Sequence, residues 1–247
     1  MKSQQINDPY NPTVKYNKKL YRSLFMRIIF RINNKGLNIF DSIQDRIICG
    51  CSLVKYVPTL FRESKGSTGS QSTRYLYLKE IFKDEFFSSN DNFIDIGCGK
   101  GRIIAYLLKN NFPGKLNGIE HNDDVANFAK KWTQKYKNVS IINGDVFEHD
   151  LNSYNVFFLG RPFETKFFIK FVEKFEQELT HPVKVIYWWD QQSGNFLNYR
   201  DGWKLHKREW IFKKHGIYLS NSPQRYSIWT YIPPNVEHVN PNLEIND

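Results

Sequence analysis

Residues 92–102, Asn-Phe-Ile-Asp-Ile-Gly-Cys-Gly-Lys-Gly-Arg, run a short apolar strand into an acid and three alternate glycines. A turn so free of side chains leads a strand directly into a helix and lets a ligand press against backbone at the helix N-terminus. The surrounding chain repeats the strand–helix step. The pattern predicts strands at "NFIDI", "KLNGIE", "NVSIING", "YNVFFLG" and "PVKVIYWW". Helices are predicted at "TRYLYLKEIFK", "GRIIAYLLKN", "DDVANFAKKWTQKY" and "ETKFFIKFVEKFEQEL". Short apolar strands alternating with helices imply a parallel sheet buried on both faces. "GWKLHKREWIFKKHG" and "RYSIWTYIP" read as two further strands with no helix between them. The expected fold is α/β and doubly wound: a mostly parallel seven-stranded sheet with an antiparallel C-terminal edge hairpin, preceded by an N-terminal helical extension.

The glycine run excludes a P-loop, which needs four residues between its first glycine and a Gly-Lys-Ser/Thr. A dinucleotide fingerprint needs its third glycine at position 102, where Arg102 stands; here it comes one residue early, at Gly101. Asp95 argues against a phosphate ligand and for one bearing a cation, such as an ammonium or a sulfonium.

Asp95, Gly97, Gly99 and Gly101 together resemble the first motif of the class I S-adenosylmethionine-dependent methyltransferases. Two further matches follow in order. Glu120 ends the second strand, and the resemblance implies that it accepts hydrogen bonds from both ribose hydroxyls. Asp145 follows the third strand and would accept one from the adenine amine, with His121 and Val146 flanking the ring. Taken singly, each acid has a milder reading: Asp95 as a helix cap, Glu120 as a solvated strand end, Asp145 as a turn residue. Their joint placement at the carboxyl ends of successive parallel strands favours S-adenosylmethionine.

Methyl transfer to an acceptor is mainly a matter of positioning, with proton removal where the nucleophile carries one. The acceptor is therefore expected beyond the fourth and fifth strands. Amino-directed nucleic-acid methyltransferases place an Asn or Asp, two prolines and an aromatic after the fourth strand. This chain has Gly160, Arg161, Pro162 and Phe163 there, so the side chain that would hold an amino group is missing. Arg161 points instead to an anionic acceptor, with Pro162 and Phe163 as substrate-binding residues. After the fifth strand, Asp190 is the candidate general base and Trp188 or Trp189 a stacking wall. The milder readings are a surface salt bridge for Arg161, a turn for Asp190 and core positions for the tryptophans.

Net charge is uneven. Residues 1–40 hold eight basic groups against one acid, +7 of the total +10. Leu20, Leu24, Ile28 and Ile32 recur at helical spacing within this stretch, and a second helical segment is expected over residues 39–56, ended by Pro58. The basic amphipathic helix over 18–33 has three candidate uses: a lid on the sheet domain, a grip on an acidic partner such as RNA, or contact with an anionic membrane surface. "ESKGSTGSQS", residues 63–72, reads as a flexible connector. The cysteines, Cys49, Cys51 and Cys98, are too few for a disulfide framework or a zinc set, which points to a reducing, cytoplasmic setting and no metal. No signal peptide or transmembrane segment is expected.

The expected organisation is a basic arm and helical extension over 1–68, a methyltransferase domain over 69–232 and a loose tail over 233–247. The leading functional reading is methyl transfer to a small molecule or saccharide. The alternatives are an RNA or protein methyltransferase that uses the basic arm, and a catalytically silent binding module.

Overall fold

The structure, a computed structural model, describes residues 24–58, 64, 66, 69–220 and 222–234. The sheet strands are β1 (Asn92–Ile96), β2 (Lys115–Glu120), β3 (Val139–Asn143), β4 (Val156–Leu159), β5 (Val183–Trp188) and β6 (Trp203–Ile211). A short ribbon of β7 (Lys213–Lys214) and β8 (Ile217–Tyr218) precedes β9 (Gln224–Tyr231). The helices are α1 (Leu24–Cys49), α2 (Tyr75–Ile81), α3 (Arg102–Lys109), α4 (Asp123–Thr133) and α5 (Thr165–Glu178).

Seven strands form one sheet in the order β3-β2-β1-β4-β5-β9-β6. The first five are parallel, and β9 inserts between β5 and β6, antiparallel to both. The expected hairpin is therefore present, with β6 as its outer strand.

Alternation along the strands divides the core into two layers. Phe93 and Phe158 face α2 and α3, whereas Ile94 and Phe157 face the opposite side. There α5 presents Phe168, Phe171, Val172 and Phe175, the spacing of one helical face. Phe157 meets Phe175 edge to face, with ring centres 4.8 Å apart. Each such side chain contributes about 1.5–3 kcal/mol by leaving water.

The N-terminal segment departs from expectation. A single helix, α1, runs through the predicted break between residues 33 and 39 and stops at Cys49, short of residue 56. Gly50, with a φ of 75°, ends it by donating its N–H to the Arg46 carbonyl at 3.0 Å. Leu37, Asp41, Asp45 and Ile48 are buried along one side of the helix and hold it continuous across Gly36. The first six residues of the expected helix over 18–33 lie outside the described residues, as does most of the expected tail.

The connector over 63–72 is tied down at its C-terminal end. Ser70 and Val57 exchange backbone hydrogen bonds of 2.9 and 3.0 Å, so the two short segments 57–58 and 69–71 are held side by side as a strap.

Candidate active site

The strap closes over the glycine turn, where β1 hands over to α3. Gly97 and Gly99 both hold left-handed backbone, with φ of 70° and 54°. A side chain at either would also collide: a Cβ on Gly97 would sit 2.9 Å from Pro162 Cβ, and one on Gly99 2.5 Å from Ser70 Oγ. The Gly97 and Cys98 N–H groups both donate to the Ile119 carbonyl, at 2.9 and 3.0 Å, which locks the turn against the end of β2. Gly101 is the N-cap of α3.

At the end of β2, the Glu120 carboxylate is held from two sides. It accepts the Gly99 N–H on Oε2 and the Asn122 N–H on Oε1, each at 2.9 Å. Burial pushes its pKa up against the pull of these two donors. Asp95, one strand away, is 2 % exposed. Burial raises its pKa well above the carboxylate range, and the Glu120 charge adds to the rise. A buried carboxyl beside a half-buried one, with His121 the nearest positive group to Glu120, suits a positively charged ligand.

Glu120 opens onto a cavity of about 90 Å³ lined also by Gly97, His121, Asp145, Val146 and Pro162. Phe163 and Arg161 line it too. Val57, Pro58, Gly69, Ser70 and Gln71 of the strap also line it. One oxygen of Asp145 accepts the Phe147 N–H at 3.0 Å, which turns the carboxyl into place. Asp95 lines a narrow recess that shares Ser70, Gly97 and Gly160 with the main cavity. Gly99 and Gly101 shape the turn without lining the cavity.

These residues fit the cofactor that the motif implies. The buried Asp95 carboxyl suits a cationic end, and Glu120, with each oxygen fixed by one N–H, retains lone pairs that ribose hydroxyls would use.

A second cavity, of about 660 Å³, adjoins the first. Gln71 lines both. Tyr77, Trp188 and Trp189 supply its aromatic wall, and Arg27, Arg31 and Arg74 its cations. The Arg161 guanidinium stacks on the Trp189 ring 4.5 Å from its centre, so the pair stands between the two spaces. The expected acceptor-side residues Arg161, Pro162, Phe163 and Trp189 thus gather around the carboxyl ends of β4 and β5.

Asp190 does not join them, which corrects its reading as a general base. Its side chain is 0 % exposed and lines neither cavity. Arg225 Nε donates to Oδ1 at 2.5 Å, Ser227 Oγ donates to Oδ2 at 2.6 Å, and Arg208 lies 3.7 Å away. The carboxylate pins β9 and β6 to the end of β5. Position after a strand pointed to the site, but the neighbouring strand, 35 residues on, supplies the cation that seals it.

Sequence reading also missed the role of Arg102. It is buried and binds Asp45 of α1 with two hydrogen bonds, of 3.0 and 2.6 Å. Asp45 further accepts the Tyr75 hydroxyl at 3.0 Å and the Leu53 N–H at 2.8 Å. Burial and the Arg102 charge lower the neighbouring Lys100 to about 8, and its ammonium donates to the Lys55 carbonyl. The extension is thereby bonded to the residues immediately after the glycine turn. A basic residue following the third glycine and an acid pair at i, i+4 in α1 were the available signals.

Among the described residues no group of three or more His, Cys, Asp or Glu could hold a metal ion, and no helix is long and apolar enough to cross a membrane.

Residues 87–187 match the family described as "Methyltransferase domain". A putative methyltransferase of Methanocaldococcus jannaschii is 24% identical over 142 residues, covering 53% of this chain and 50% of the relative. An rRNA adenine N-6-methyltransferase of Limosilactobacillus reuteri is 29% identical over 84 residues, covering 33% of this chain and 34% of the relative. The chain thus spans about half the length of the first relative and a third of the second. A methyltransferase of Pyrococcus furiosus superposes with a TM-score of 0.53 at 15% identity, over 80% of this chain and 98% of that one. A SAM-dependent O-methyltransferase of Thermotoga maritima gives 0.50 at 16%, over 68% and 69%. The matched span contains the acid, the glycine turn, β1 to β4 and all of β5 but its last residue, so residues 87–187 are similar to a methyltransferase domain, and the sheet they belong to is the fold of these solved methyltransferases.

Proposed function

We propose that the protein transfers a methyl group from S-adenosylmethionine to a small anionic acceptor held in the second cavity. The observation that carries this reading is the adjacency of the two cavities, with the Arg161–Trp189 stack between them. The cofactor, when bound, supplies an electrophilic methyl on a sulfonium. Asp95 would hold its cationic end, Glu120 the ribose, and Asp145 the adenine amine, with His121 and Val146 beside the ring.

On the acceptor side, the described lining holds Arg27, Arg31 and Arg74, the last paired with Asp41, and neither an acid nor a histidine. Such a wall favours an acceptor that arrives as an oxyanion, because nearby cations stabilise the charged form and no protein base is then required. Trp189 would stack on a ring, and Arg161 would orient the anionic group. Gly160 leaves the position of an amino-holding side chain vacant, which weighs against a nucleobase amine.

The name of the L. reuteri relative supports an RNA acceptor as the second reading, and Arg27 and Arg31 at the cavity mouth are compatible with it. Labelled S-adenosylmethionine offered with phenolic acids, sugar acids and total RNA separates the two. Label in a small acid is the expected result. Label in RNA alone would replace the proposal with the second reading, and binding without transfer to anything would leave a silent module.

A further inference from the structure

The apolar stripe that sequence reading finds on the N-terminal helix does not face the protein. α1 packs through Leu37, Asp41, Asp45 and Ile48, whereas Phe25, Ile32, Ile39 and Ile47 on its other side are 71, 64, 63 and 71 % exposed. Leu24, Ile28, Phe40 and Ile43 extend the same exposed surface. The stripe follows a helix of 26 residues, about 39 Å long at 1.5 Å per residue. An apolar patch of that extent on a folded protein marks a contact surface.

Charge selects the partner. All four bases of α1, Arg27, Arg31, Lys35 and Arg46, are exposed, the first two as part of the second cavity's lining. Both of its acids, Asp41 and Asp45, are buried and paired with Arg74 and Arg102. Lys35 and Arg46 border the stripe on the helical wheel. The apolar surface continues beyond α1, because Phe40 shares a groove with Phe86, which is 88 % exposed. Lys79, Lys83 and Lys109 rim that groove. Its acid, Glu85, is paired with Lys184 at 2.7 Å.

A second copy of the chain docked through α1 would bring these bases against one another with no exposed acid on the helix to meet them. Nucleic acid would pair with the bases and leave the aliphatic stripe in water. An anionic lipid surface satisfies both features: isoleucine and phenylalanine enter the headgroup–acyl boundary while the flanking cations meet phosphate.

We propose that α1 and the Phe86 loop dock the protein on an anionic phospholipid bilayer, the helix lying in the interface plane. This does not depend on the methyl-transfer reading.

Flotation of the full chain with vesicles tests it. Phosphatidylcholine vesicles containing phosphatidylglycerol are expected to carry the protein, pure phosphatidylcholine to carry much less, and added salt to release it. This comparison uses the unmodified chain and so is independent of how any variant folds. Ile32→Glu and Ile39→Glu, tested separately, are each expected to weaken vesicle binding by about tenfold or more. S-adenosylmethionine affinity and melting temperature should stay as in the native chain, because both side chains face solvent. Lys35→Glu with Arg46→Glu should remove the preference for phosphatidylglycerol. Absence of binding to the anionic vesicles would overturn the proposal. So would equal binding to both vesicle types, or a dimer in sedimentation that the isoleucine variants dissolve.

Discussion

The Arg161 guanidinium rests 4.5 Å from the centre of the Trp189 ring, and both residues hold left-handed backbone, with φ of 52° and 62°. Non-glycine residues pay roughly 1–2 kcal/mol each for that conformation. Two such residues in contact, at the ends of adjacent strands β4 and β5, place local strain where the cofactor and acceptor cavities meet. The cation–π contact returns about 0.5–2 kcal/mol of this.

Replacement at 161 should therefore invert the usual order of substitutions. Arg161→Ala loses the stack and keeps the strained backbone, whereas Arg161→Gly loses the stack and relieves the strain. Urea unfolding is expected to show the glycine variant more stable than the alanine variant by roughly 1 kcal/mol. Equal stabilities, or a more stable alanine variant, would show that the left-handed turn carries no strain.

Asp95 sets a pH dependence. Its carboxyl is raised in the folded protein, first by burial and then by Glu120. A raised carboxyl contributes stability fully below its unfolded value of about 4, and that contribution is lost as pH rises through the folded value. A cation beside Asp95 favours the ionised form, so cofactor binding should release a proton wherever the free carboxyl is still protonated. Affinity should then tighten as pH rises through that window. Calorimetry in two buffers of different ionisation heat measures the release directly, and Asp95→Asn should abolish it. Unchanged proton release in that variant would assign the titration to another group.

Asp45 anchors the extension through Arg102. Asp45→Ala leaves a buried guanidinium with its main partner gone, and denaturant unfolding should register a loss of about 3–5 kcal/mol. Asp45→Leu with Arg102→Met removes both charges and should recover most of it. A loss below about 1 kcal/mol in the single variant would mean that α1 contributes little to the folded core.

Asp190 separates a structural from a chemical role. Asp190→Asn leaves Arg225 buried against a neutral partner, and a loss of about 2–4 kcal/mol is expected. The folded fraction should bind S-adenosylmethionine as the native chain does. A variant of native stability with impaired methyl transfer would restore the general-base reading.

What could be read from sequence was whatever the backbone alone demands. Three glycines between a strand and a helix can serve few purposes, and Asp95 and Glu120 sit at strand ends that periodicity locates. The alternation that assigned β1–β5 and α5 is likewise local. Contacts made at long range were not legible. Asp190 looks like a strand-end acid until Arg225 arrives from β9. The break in α1 looks real until Leu37 and Asp41 bury against the domain. The apolar stripe through Ile28 and Ile32 gave no sign of which side faced the core, because the inward side of α1 is partly built from Asp41 and Asp45, paired with arginines far along the chain.

The most direct test of the cofactor site is calorimetric titration of the full chain with S-adenosylmethionine, repeated with Glu120→Ala. The expected result is saturable one-to-one binding in the native chain, weakened about tenfold or more when the carboxylate and its charged hydrogen bonds are removed. No binding by the folded native protein would contradict the assignment of the Asp95–Glu120 pocket to this cofactor.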